Sequence, residues 1–138
     1  MTIDAVEGGC LCTAIRYRVL GAPLAQSLCH CRSCRLASGA PSVAWIVVRH
    51  GDFKIVLGRP SSIRSSPQVL RTFCGTCGTS LTYQHDDSPD TIDVTTATLD
   101  RPDLYPPTRE IWIEDAIAWE TLNPALRHHP RSSQEEDR

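Results

Sequence analysis

The sequence predicts an all-β domain, and three observations carry that class: apolar residues that alternate with polar ones over short runs, turn residues between the runs, and few helical signals. In chain order, AIRYRVL alternates through Ile15, Tyr17 and Val19 and reads as a half-buried strand. SVAWIVV is a β-branched run that reads as a further strand. FKIVL, VLRTF, SLTY, TIDVTTATL and EIWI follow, separated by Gly, Pro and Ser, and together they predict an antiparallel arrangement. SCRLAS after Cys34 and DRPDLYP, with its proline just inside the start, each predict a single helical turn.

At 138 residues, 41% apolar and a formal charge of −2, the chain is long enough for one core and predicts one domain over residues 1–126. The end, RHHPRSSQEEDR, is polar and proline-interrupted, so residues 127–138 read as a disordered tail with His128 and His129 solvated in it. Lys54 is the single lysine and the arginines are scattered, which argues against a nucleic-acid binder. No apolar stretch is long enough to span a bilayer, and MTIDAVEGG lacks the basic start and apolar run of a secretory signal. The expectation is a cytoplasmic protein without membrane contact.

The seven cysteines fall into three clusters: Cys10 and Cys12; Cys29, Cys31 and Cys34; Cys74 and Cys77. A disulfide framework needs an oxidising compartment and strands one thiol of an odd count, so metal binding is the reading. Iron–sulfur chemistry is the rival for four thiolates, but FCGTCG carries the glycine-bearing CxxC knuckle of zinc ribbons. The clusters divide into a four and a three. Four thiolates close a tetrahedral zinc and make it structural, whereas three leave a position for water or substrate. Cys10, Cys12, Cys74 and Cys77 would staple the N-terminal region, ahead of the first strand, to a distant hairpin, with Gly75 and Gly78 supplying positive φ in its turn. Cys29 and Cys31 share a face two residues apart in extended chain, Cys34 curls back from the next turn, and alternation turns His30 away. Completion of this second site by His30, His50 or His85 would make it structural as well.

The strings GGCLCTAIRY, CHCRSCRLASGAPSVAWIVV, IRSSPQVLRTFCGTCGTSLTY, TIDVTTATLDRPD and IWIEDAIAW, spread over residues 7–122, closely resemble the glutathione-dependent formaldehyde-activating enzyme family, which includes the centromere protein V relatives. The resemblance implies a β-tent fold, a structural zinc on Cys10, Cys12, Cys74 and Cys77, and a catalytic zinc on Cys29, Cys31 and Cys34. The activity it implies is a carbon–sulfur lyase run in reverse, condensing glutathione with formaldehyde to S-(hydroxymethyl)glutathione. Leu11 stands where a polar residue or histidine is frequent in the family, and EDAIAW lacks the proline often found before its tryptophan.

The implied chemistry suits the site. A free thiol titrates near pH 8.5, and a zinc that takes it as a fourth ligand deprotonates it. Three protein thiolates leave zinc a weak Lewis acid, so its role is to hold and activate sulfur rather than to polarise the aldehyde. Glutathione carries two carboxylates, which makes Arg32, Arg35 and Arg64 candidate clamps. Trp45 and Tyr83 are candidate pocket walls, and Ser38 and Gly39 candidate hydrogen-bond partners. The alternative function is a non-catalytic zinc domain that recognises protein or nucleic acid through its strand face.

Overall fold

The computed structural model describes residues 5–132. In chain order these form β1 (Ala5–Gly9), β2 (Arg16–Leu20), β3 (Ala25–Cys29), α1 (Arg32–Ser38), β4 (Val43–Arg49), β5 (Phe53–Leu57), β6 (Ser61–Ser66), β7 (Val69–Phe73), β8 (Ser80–His85), β9 (Thr91–Thr95), β10 (Arg109–Ile111) and β11 (Arg127–His128). The predicted turn at DRPDLYP is a 3-10 turn over Pro102–Leu104. The all-β class therefore holds, with α1 the one α-helix among the described residues. None of the described helices is long and apolar enough to cross a membrane.

Two sheets form. The smaller has three strands in the order β1-β2-β5, and the larger has eight in the order β11-β10-β3-β4-β9-β8-β7-β6. Alternation along β4 shows why its apolar run is continuous. Ile46 and Val48 point to one face and join Ile92 and Val94 of β9 with Tyr17 and Val19 of β2 in the main core. Trp45 and Val47 point to the other face, where they line a cavity. The small sheet thus packs on one side of the large sheet and leaves the opposite side free to build a site.

Pairing in the large sheet is antiparallel from β3 through β6, but β10 runs parallel to both β3 and β11. The purely antiparallel expectation fails there because the chain returns to β3 from far along the sequence. β1, β3 and β6 were not legible as strands: AVEGG, AQSLC and SSIRSS lack β-branched runs, and long-range pairing rather than local propensity forms them. Cys10 and Cys12 accordingly follow the first strand rather than precede it.

The proposed tail needs a second correction. Arg127 and His128 pair with Arg109 and Glu110 of β10, the His129 amide donates to the Glu110 carbonyl at 2.9 Å, and the Trp112 amide donates to the Arg131 carbonyl at 3.0 Å. His129 is only 3% exposed. Polar composition misled because His128 reaches the buried Glu110 carboxylate, with Nε2 3.1 Å from Oε2, while the His129 backbone pairs with Glu110. Residues 133–138 of the proposed tail lie outside the described residues.

Candidate functional site

Two cysteine clusters assemble, as the four-and-three division requires. Sγ atoms of Cys10, Cys12, Cys74 and Cys77 lie within 4.8 Å of one another, and so do those of Cys29, Cys31 and Cys34.

Two knuckles build the first cluster. Cys10 and Cys12 occupy the turn from β1 to β2, where Thr13 takes a left-handed φ of 67° and its amide donates to the Cys10 carbonyl at 3.2 Å. Cys74 and Cys77 occupy the turn from β7 to β8. Gly78 has a φ of 84° there, as expected. Gly75 has a different reason to be glycine: a Cβ would come within 2.5 Å of Ser61 Oγ. Amides of Ile15 and Cys77 donate to Cys10 Sγ at 3.2 Å and Cys74 Sγ at 3.4 Å. The Cys10–Cys12 and Cys12–Cys74 sulfurs are each 3.7 Å apart, which matches the ~3.8 Å edge of a tetrahedron with Zn–S bonds of about 2.3 Å. The donor set fits a closed metal site.

The second cluster grows from the end of β3 into α1. Cys29 closes β3. Cys31 is the helix N-cap, with φ −62° and ψ 150°, and its sulfur accepts the Cys34 amide at 3.3 Å. Cys29 and Cys34 are buried while Cys31 is half-buried. The three thiols share charge unevenly. Cys31 is held below the ordinary thiol range by hydrogen bonds, first with Cys29 and then with Cys34, while Cys29 is pushed up, chiefly by its bond to Cys31. Three crowded sulfurs cannot all ionise without a cation among them, so the group fits a metal. Among the described residues, no histidine or carboxylate joins the three within that distance. His30, His50 and His85 are therefore not fourth ligands in this geometry.

Alternation sends His30 the other way, as expected. Its ring is fully buried and Nε2 lies 2.8 Å from Glu110 Oε1. Glu110 Oε2 accepts the Asn123 amide at 2.7 Å and lies 3.1 Å from His128 Nε2. This buried network joins the CHC segment to β10 and β11 and fixes where the sulfurs sit. A buried glutamate at the start of EIWI gives no local sign of such a role.

Arg71 is another residue missed from sequence. It lies within the apolar-looking strand VLRTF and is 7% exposed. Its Nη2 is 3.6 Å from Cys34 Sγ, Nε donates to Ser65 Oγ at 2.9 Å, and the guanidinium sits 5.0 Å from the Tyr83 ring centroid. A fixed cation is thereby aimed at the sulfur cluster.

A cavity of about 920 Å³ opens over the trio. Its floor is the free face of the large sheet, and strand alternation selects its residues: Ser27 and Cys29, Trp45 and Val47, Thr91 and Asp93, Tyr83 and His85, Arg109 and Ile111. Trp45 and Tyr83 are walls, with ring centroids 6.0 Å apart. Of the candidate clamps, Arg32 lines the cavity and Arg35 and Arg64 do not. Arg64 is half exposed and pairs with Asp86 at 2.8 Å, and Arg35 occupies the last turn of α1 with Nε buried. Ser38 bonds the Cys34 carbonyl at 2.7 Å and Gly39 ends the helix at φ 72°, so both serve the helix rather than a ligand. Arg109, Trp112 and Asp115 line the cavity unforeseen, and Trp112 adopts a left-handed φ of 58° that is costly for a side chain of its size. Burial pushes the Asp93 carboxyl up to about 7, against the pull of Arg71, and pushes Tyr83 up to about 12.

Comparison with known proteins assigns the family. A curated relative, an uncharacterized lyase of Schizosaccharomyces pombe, is 30% identical over 79 residues, a stretch covering 57% of each chain. The chain thus spans just over half the length of that relative. A crystal structure of a Rhodobacter sphaeroides protein superposes with a TM-score of 0.59 at 21% identity, covering 89% of this chain and 98% of that one, which shows a shared fold. The family model for glutathione-dependent formaldehyde-activating enzymes matches residues 5–115, a span that includes both cysteine clusters and the strands holding them, and the chain belongs to that family.

Proposed function

We propose that the chain is a zinc-dependent carbon–sulfur lyase joining a small thiol, glutathione first among candidates, to formaldehyde or a similar small electrophile. One observation carries this reading: the cluster with three sulfurs lies in the wall of a large cavity, and the cluster with four does not. A purely structural pair of sites, as in a recognition domain, gives no reason for that asymmetry. Cys29, Cys31 and Cys34 would hold a zinc, which would supply the means to ionise a substrate thiol beside the cavity. A second zinc on Cys10, Cys12, Cys74 and Cys77 holds the fold together.

The chain's own residues do the rest. Arg71 offsets the negative charge that accumulates at Cys34. Arg32 and Arg109 have guanidinium groups at the cavity without an ion-pair partner among the described residues, and they clamp substrate carboxylates. Trp45 and Tyr83 exclude water from the reacting atoms. Reduced thiolates of this kind belong in the cytoplasm, where we place the protein.

The test is exchange spectroscopy with ¹³C-formaldehyde and glutathione. The protein accelerates formation of the S-hydroxymethyl carbon, and Cys31→Ser abolishes the acceleration. An unaccelerated exchange with glutathione and with other small thiols overturns the reading.

A further inference from the structure

Addition of a thiol to a carbonyl moves one proton. Sulfur loses it, the carbon–sulfur bond forms, the carbonyl π pair goes to oxygen, and the oxygen must gain it. A residue that accepts and then returns that proton completes the reaction without an outside acid or base, and the family comparison names none.

The register of the large sheet offers one. Arg71, Tyr83, Asp93 and Val47 stand directly opposite one another on β7, β8, β9 and β4, forming one row across the cavity floor. Adjacent strands are about 4.8 Å apart, so neighbours in such a row touch. At one end Arg71 reaches Cys34 Sγ. In the middle, the Asp93 carboxyl lines the cavity and makes no hydrogen bond or ion pair among the described residues. Asp93 is half-buried and faces the cavity, and a carboxyl without a direct partner in the same cavity as a reactive centre is placed to serve chemistry.

The charged and titratable groups around it are Arg71 on β7, Tyr83 and His85 on β8, Asp87 just beyond β8, Arg49 farther along β4 and, elsewhere on the cavity lining, the cysteine trio with Arg32, Arg109 and Asp115. Arg71 cannot give up its proton, and burial leaves the Tyr83 hydroxyl too weak an acid. His85 lies one row farther from the cysteines, opposite Val69. Burial holds Asp93 near neutrality, where a carboxyl both takes and gives a proton.

We propose that Asp93 is the proton carrier of this site, taking the proton of the bound thiol and returning it to the oxygen formed when sulfur attacks the carbonyl carbon. This assignment rests on the thiol–carbonyl reading above. The second negative charge that thiolate binding brings to the cluster favours the protonated acid, so Asp93 retains the proton until the alkoxide appears.

Cobalt-loaded wild type and Asp93→Asn are titrated with glutathione in weak buffer near pH 7.5, following the sulfur-to-cobalt charge-transfer band and the protons released. Both proteins should show the band. Wild type should release about no proton per thiol bound and Asp93→Asn about one, and zinc-loaded Asp93→Asn should lose on the order of 100-fold or more in turnover with formaldehyde. A band in both with equal proton release overturns the assignment and leaves the thiol reading standing. Absence of the band in wild type with glutathione and with other small thiols overturns both.

Discussion

The two cysteine clusters set the same atoms in different surroundings, and the division of labour proposed above rests on that difference. Cys10, Cys12, Cys74 and Cys77 come from two tight turns joining different sheets, and their sulfurs accept backbone amides and one another. Cys29, Cys31 and Cys34 come from one short strand-to-helix segment, a buried arginine reaches Cys34, and a cavity opens beside them. A site that gathers distant chain closes a long loop and stabilises the fold. A site built within six residues closes little loop, and a metal held there would keep a face open to the cavity. On the reading proposed above, loop closure and an open face, more than ligand chemistry, would separate a structural centre from a working one.

The largest expected effect breaks the first centre. Cys74→Ser should unfold or aggregate the protein, because structural zinc contributes roughly 10–16 kcal/mol at neutral pH, more than a domain of this size holds in net stability. Circular dichroism and metal analysis after purification check this. Cys31→Ser, by contrast, should stay folded with about one zinc per chain and no activity. If both variants unfold, the two centres do not divide labour.

The next effect sharpens how the working centre is held. Ending the chain at residue 126 removes the β11 pairing and His128 from Glu110, leaving part of a buried carboxylate unsatisfied. A cost of about 2–3 kcal/mol follows, read as a melting temperature lower by several degrees, and the zinc at Cys29, Cys31 and Cys34 should be lost more readily to a chelator than the other. A truncated protein that melts with wild type and holds both metals equally would show that the C-terminal strand does not support His30.

Much of this was legible in the sequence. The strands with β-branched alternation, the division of the cysteines and the outward turn of His30 all follow from local spacing, because period two and tetrahedral ligand geometry act over a few residues. Arg71, Asp93, Glu110 and Arg109 were not legible. Each is a polar residue on a strand, and its role depends on which strands lie beside it, a matter of sheet order that local pattern does not carry. Arg35 and Arg64 failed for the same reason: proximity in sequence to the cysteine cluster, or presence on a strand, does not place a guanidinium at the cavity.

The smallest predicted effect concerns Asp93. Its folded carboxyl titrates at about 7 rather than the ordinary 3.8, so the folded state holds the proton more tightly than the unfolded chain. The stability this lends is fully present below about pH 4 and is lost as pH rises through about 7. Asp93→Asn does not titrate and should therefore gain on wild type across that window, by a few degrees at pH 8 relative to pH 4. Equal pH dependence in the two proteins would mean that Asp93 is solvated in the folded state.

The contrast between the centres is tested most directly by X-ray absorption at the zinc edge on the fully loaded protein. Four sulfurs at one zinc and three at the other average to about 3.5 per zinc, with a light-atom ligand making up the difference, and saturating glutathione should raise the average to about 4. An average of four sulfurs before any thiol is added, or a light-atom ligand that glutathione and other small thiols leave in place, would contradict the account.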